Sequence, residues 1–279
     1  MRPRILALSL LALIGTPRAE AANNAVAIIW KGAKTQAEAE AQKPAWSGLN
    51  AVFAKAGLKF PDGHPKLVES KTLPGLKPGF WVWLLGVCAP NAAPPIVNQL
   101  KLLASETYSR EVQVSPKQRA CPRQEEGDPL KARDETLQLP SGETLRVFTR
   151  EESKNVDEHE GIWDDSTRTR YHFVLIGKGG EVLGSANAVG DEEVHKSSPS
   201  GLLAYGNTSP GAPTAYRCDG TQLEKSGDDT FVLTRHCDGK GGKCGDVASA
   251  DEIVTVKVNA DGITASVPMR KNEQRAECN

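Results

Sequence analysis

The residues able to do chemistry are six cysteines, five histidines and several clusters of carboxylates. Cys88, Cys121, Cys218, Cys237, Cys244 and Cys278 could form disulfides or hold zinc. Zinc sites favour paired C-x-x-C spacings, whereas Cys237 and Cys244 stand seven apart with no matching pair. An even cysteine count in an exported chain favours disulfides. Cys88 with Cys121 is the bridge that keeps each half of the chain self-contained, leaving the other four to form two bridges among themselves.

His64, His159, His172, His195 and His236 include no i, i+4 pair that would set two imidazoles on one helix face for a metal. Asp157-Glu158-His159-Glu160 with Asp164-Asp165 offers the oxygen ligands that calcium needs. It lacks the regular spacing of an EF-hand loop and reads as a solvated loop, as do Asp191-Glu192-Glu193 and Asp228-Asp229. Gly239, Gly241, Gly242 and Gly245 read as a turn, because no strand-to-helix junction surrounds them and no G-K-[ST] follows. No G-x-S-x-G nucleophile elbow is present. Glycan cleavage needs two positioned carboxylates, and a chain this rich in them neither locates nor excludes such a pair. No metal or cofactor is implied.

The compartment is read from the first residues. Arg2 and Arg4 precede an apolar run from Ile5 to Ile14, and Ala19-Glu20-Ala21 has the small-x-small form of a signal-peptidase site. A spanning helix needs about 20 apolar residues, roughly twice this run. No cysteine lies at the cleavage site to accept a lipid, so the expectation is an export signal over 1–21 and a periplasmic or extracellular protein without a lipid anchor. Cleavage takes Arg2, Arg4, Arg18 and Glu20 from a chain of net charge -1 and leaves -3. No basic footprint points to nucleic acid.

The chain's 279 residues exceed the roughly 150 of an average domain, so two domains are expected: 24–121 and 135–279, joined by a charged, turn-rich linker over 122–134. In the first, Val26 to Trp30 reads as a buried strand. Thr35-Gln36-Ala37-Glu38 has the spacing of a capping box, and Pro44 should kink or restart the helix it opens. Trp46, Leu49, Phe53 and Ala56 then draw an apolar stripe. Lys66 to Lys71 reads as a short strand, Phe80 to Cys88 as a long one, Ile96 to Ala104 as a helix behind Pro94 and Pro95, and Thr107 to Val114 as an alternating strand. This β-α-β-β-α-β order would place two helices on one face of an antiparallel sheet and leave the other face open.

Pro74-Gly75-Leu76-Lys77-Pro78-Gly79-Phe80-Trp81-Val82-Trp83-Leu84-Leu85-Gly86 resembles the second-strand to third-strand passage of sporulation-related repeat (SPOR) domains. There the passage often runs Leu-x-Pro-Gly-Tyr-Trp-Val-Val-Tyr-x-Gly; here Phe80 stands for Tyr, Trp83 for Val and Leu84 for Tyr. The resemblance covers roughly residues 24 to 115 and implies a binder of septal peptidoglycan, especially of glycan strands stripped of stem peptides, acting through the open sheet face. Candidate contacts are Phe80, Val82 and Leu84, or Trp81 and Trp83 if the register slips by one, together with Ser109, Glu111 and Gln113. Exposed aromatic rings would stack on sugars.

In the second half short apolar runs alternate with turns: 144–149, 171–176, 181–188, 215–218, 231–236, 253–258 and 263–267. Lys178-Gly179-Gly180 and Asn259-Ala260-Asp261-Gly262 read as hairpin turns. The expectation is an all-β sandwich or small barrel. The function expected is that of an exported, non-enzymatic binder of the bacterial envelope. Two other readings stand beside it: a secreted protein-interaction or inhibitor module whose sheet is covered by the second half, and a carboxylate-dependent hydrolase.

Overall fold

The computed structural model describes residues 23–125, 128–159, 162–198, 201–205, 217–238, 247–275 and 277. The signal segment expected over 1–21, together with Cys244, Cys278 and the glycines from Gly239 to Gly245, lies outside them. Strands dominate the described chain, and no described helix is long and apolar enough to cross a membrane.

The first half begins with β1 (Asn23–Ala33). Thr35 then caps α1 (Gln36–Glu40): its hydroxyl accepts from the Glu38 amide while the Glu38 carboxylate accepts from the Thr35 amide. The helix restarts at Pro44 as α2 (Lys43–Lys55) and ends in β2 (Leu58–Lys59). Then follow β3 (Lys66–Glu69), β4 (Trp81–Cys88), α3 (Ala93–Lys101) and β5 (Tyr108–Val114). The antiparallel sheet runs β3-β4-β1-β5.

Alternation decides what each face of this sheet meets. Ile28, Trp30, Trp83 and Leu85 face the helices and join Trp46, Val52 and Phe53 of α2 and Leu100 of α3. Trp30 lies 5.1 Å from Trp46, ring centre to ring centre, and the Trp83 indole donates to the Ala39 carbonyl at 2.7 Å. Ala27, Ile29, Val82 and Leu84 face the other way, with Val112 and Val114.

The stretch 122–134 is no free linker. Cys121 is joined to Cys88, and β6 (Arg123–Gln124) pairs with β2. Gln124 also donates to the Ala56 carbonyl at the end of α2, and β7 already starts at Lys131. Backbone pairing and one disulfide tie down a segment whose composition alone reads as turn.

The second half is a sandwich of two antiparallel sheets. β7 (Lys131–Gln138), β8 (Thr144–His159), β9 (Ile162–Ile176), β10 (Val182–Ser198) and β11 (Gly201–Tyr205) form the middle sheet. β12 (Arg217–Lys225), β13 (Thr230–Asp238), β14 (Val247–Asn259), β15 (Gly262–Ala265) and β16 (Met269–Arg275) form the outer one, where β15 and β16 share an edge of β14. Leu145, Val147, Phe173 and Leu175 meet Phe231, Leu233, Val254 and Val256 between them. Cys218 pairs with Cys237 in register across β12 and β13 and is bonded to it. β8 and β9 continue well past their apolar runs, so Asp157 to His159 and Asp164-Asp165 sit in paired strands rather than in a solvated loop. Strand pairing propagates outward from the buried root, which the local charge pattern does not reveal.

The apolar runs of β8 and β9 are buried on both sides. Phe148 and Val174 enter the same core as α2 and α3, so the second half docks on the helix layer. Two arginines of β8 meet the helix ends, where carbonyls lack partners and the dipole favours a cation. Arg146 donates to the Leu102 carbonyl after α3 at 3.3 Å, and the Arg150 guanidinium lies where a Cβ on Gly57, after α2, would come within 2.7 Å. Gly48 of α2 permits a similar approach, since a Cβ there would lie 2.7 Å from the Val182 carbonyl oxygen.

His172 is fully buried at this junction, with Arg170 and Arg150 on the same sheet, Lys55 of α2 opposite and Asn187 its partner across β10. Burial, aided by the neighbouring cations, lowers its pKa from 6.5 to about 4. The native state therefore holds the neutral ring, and the stability this provides is complete above the unfolded value and is lost as pH falls toward the folded one. Stability should drop by about 2 kcal/mol between about pH 7 and about pH 5 through this group. His236, exposed beside Asp251 and Asp238, has a raised pKa and acts in the opposite sense. Urea midpoints across this range should flatten in His172→Leu relative to the parent; an equal slope in both would show that His172 is not the titrating group.

Candidate functional site

The face of the first sheet away from the helices carries a strap. After β3 the chain turns, crosses Val82 and Leu84, and returns as β4. Its base is closed by the Ser70 amide donating to the Phe80 carbonyl at 2.8 Å and the Phe80 amide donating to the Ser70 hydroxyl at 3.1 Å. Its tip is fixed to the far edge, where the Gln113 amide of β5 donates to the Pro74 carbonyl at 2.8 Å. Leu73, Leu76 and Phe80 rest on the apolar face beneath.

Gly75 makes this crossing possible. It sits at φ 109°, and a Cβ would fall 2.6 Å from the Glu111 carbonyl oxygen.

The strap does not fill the face completely. A pocket of about 380 Å³ remains between it and β5. Ile29 and Val82 form its floor, Leu76 and Phe80 its strap wall, and Tyr108 its far wall. Arg110 and Lys77 stand exposed at the mouth. The Arg110 guanidinium lies 4.9 Å from the Tyr108 ring centre and spends one N–H on the Ser109 carbonyl. Burial raises the Tyr108 pKa above its ordinary value, with Arg110 opposing, so the phenol stays a neutral donor and acceptor. The pocket can thus enclose an apolar ring and present cations to an anionic edge.

The residues expected at the site divide by face. Phe80, Val82 and Leu84 point to the strap side; Phe80 reaches the pocket wall, Val82 the floor, and Leu84 is 5% exposed beneath the strap. Trp81 and Trp83 alternate to the helix side, and Trp83, 5% exposed, is held by its bond to Ala39. Ser109, Glu111 and Gln113 also lie off the pocket; they are accessible because β5 is an edge strand, and Gln113 bonds Asn24. An open aromatic platform is therefore absent, and the cause is the strap rather than the second half. Sequence reasoning missed Ile29, Ser70, Leu76, Lys77, Tyr108 and Arg110. The alternation along β5 carried the signal for Tyr108 and Arg110, which share a face with buried Val112 and Val114.

Several described carboxylates elsewhere have structural partners. Glu193 and Glu252, both buried between the two sandwich sheets, flank Arg235 at 3.1 and 3.3 Å. Burial raises the Glu193 pKa against the pull of Arg235. Asp228 lies in the turn before β13, 3.9 Å from Lys225. Among the described residues no three His, Cys, Asp or Glu side chains are grouped to hold a metal. His64 lies in a turn, and the side chains of His159 and His195 fall outside the description.

Comparison with protein-family models, with curated proteins and with solved structures finds no match.

Replacing Gly75 by Val should lift the strap tip from β5. Hydrogen exchange at the Gln113 amide should then quicken about tenfold or more, with a stability loss of about 1–3 kcal/mol. Unchanged exchange at Gln113 would contradict this account of the crossing.

Proposed function

We propose that this chain is an exported, non-enzymatic binding protein of the bacterial envelope, and that its ligand is a peptidoglycan glycan seated in the pocket beneath the strap. The observation that carries the reading is the pocket itself: an apolar floor walled by Phe80 and Tyr108 suits the flat face of a sugar, with polar groups at the rim. The order β1, α1 and α2, β3, β4, α3, β5 supports a SPOR-like first domain, and the Pro74 to Gly86 resemblance points to the same ligand class. Two disulfides support a life in an oxidising compartment. Because the strap occupies most of the face, the pocket accommodates one or two sugar rings at a strand end or an isolated position, not a strand laid along the sheet.

The inhibitor reading expects the second half to cover this face; the middle sheet lies against the helices, and the strap covers Val82 and Leu84. Glu193 and Glu252, ion-paired with Arg235, add no support to the hydrolase reading.

Mature protein mixed with amidase-treated sacculi should pellet with them, and Tyr108→Ala should reduce the pelleted fraction several-fold. Equal recovery in the supernatant with and without sacculi would defeat the proposal.

A further inference from the structure

Two cations, Lys77 and Arg110, stand at the pocket mouth. Among the described residues neither Lys77 nor Arg110 pairs with a carboxylate; nearby Glu69 is taken by Lys71, and Glu111 projects from the other face of β5. Yet the mature chain is expected to be net acidic, so unpaired cations converging on one apolar pocket mark a local reversal of sign. Stacked on Tyr108 and tied to the Ser109 carbonyl through Nη1, Arg110 keeps Nε and Nη2 as a planar two-donor edge. That edge matches the two oxygens of a carboxylate. Lys77, on the strap, is a point charge that can approach the same anion from the other side.

We infer that the pocket recognises a carboxylate borne on a ring: the ring on Ile29 and Val82 between Phe80 and Tyr108, the carboxylate held at the mouth by Arg110 and Lys77. The inference rests on the pocket being the ligand site and adds which group of the ligand is read. A carboxylate fits better than a phosphate. The free edge of the Arg110 guanidinium is a planar two-donor fork that matches the coplanar oxygens of a carboxylate, whereas the oxygens of a phosphate are tetrahedral. In the glycan reading, such a group is the lactyl carboxylate of N-acetylmuramic acid, which is free only where the stem peptide has been removed.

Two matched pairs of small probes, titrated into the mature protein and followed by NMR or calorimetry, test this. N-acetylmuramic acid should bind about tenfold or more tighter than N-acetylglucosamine, and benzoate tighter than benzyl alcohol by a similar factor. In Lys77→Gln/Arg110→Gln both ratios should fall to about one. Equal affinities within each pair for the parent protein would overturn carboxylate recognition, as would inorganic phosphate displacing benzoate at lower concentration than acetate does. Failure of both sugars with the benzoate preference intact would sustain the carboxylate inference and defeat the glycan reading, so the two can fail separately.

Discussion

The arrangement depends on how the second half seats on the helix layer of the first. β8 presents Arg146, Phe148 and Arg150 to the helices, and these side chains satisfy the two requirements such a surface imposes. Phe148 closes an apolar core that a lone sheet and two helices would leave open to water. Arg146 answers the Leu102 carbonyl after α3, and Arg150 sets its charge beside Gly57 at the end of α2, where the helix dipole favours a cation. A sheet apolar on both faces has to be covered on both, so the middle sheet takes the outer sheet on one side and the helices on the other. Everything the first sheet offers to the surroundings is then on its remaining face.

That remaining face is itself apolar. Val82, Leu84, Val112 and Val114 in open water would form an exposed hydrophobic patch of the kind that drives association. The strap covers most of them, and its course is dictated at two points: the Ser70 and Phe80 amides at its base and Gly75 at its tip. A strap tied at both ends over a twisted sheet leaves a gap beside the edge strand. The pocket is that gap, and Tyr108 and Arg110 line it because the same alternation that buries Val112 and Val114 carries on to them.

Much of the local structure could be read in the chain. The capping box at Thr35, the restart at Pro44 and the Cys88–Cys121 bridge depend on neighbours in sequence or on simple economy of pairing, and each is present. The strap could not be read this way. Pro74, Gly75, Pro78 and Gly79 announce a turn, but which surface Leu73 and Leu76 fold back upon is a long-range matter. Arg146 and Arg150 would be assigned to a solvent face by any rule that sends charge outward, yet helix ends are surfaces that prefer them. Ser109, Glu111 and Gln113 lie on the other side of β5 from the pocket, a division that follows from strand alternation once the pocket's face is known.

The central claim is that ligand enters beneath the strap, on the side of the first sheet opposite the helices. Methyl and amide NMR spectra of the mature protein, recorded while a peptide-free muramyl glycan fragment is added, test it most directly. Perturbations should centre on Ile29, Leu76, Phe80, Val82 and Tyr108; changes confined to the helices or to the sandwich would contradict it.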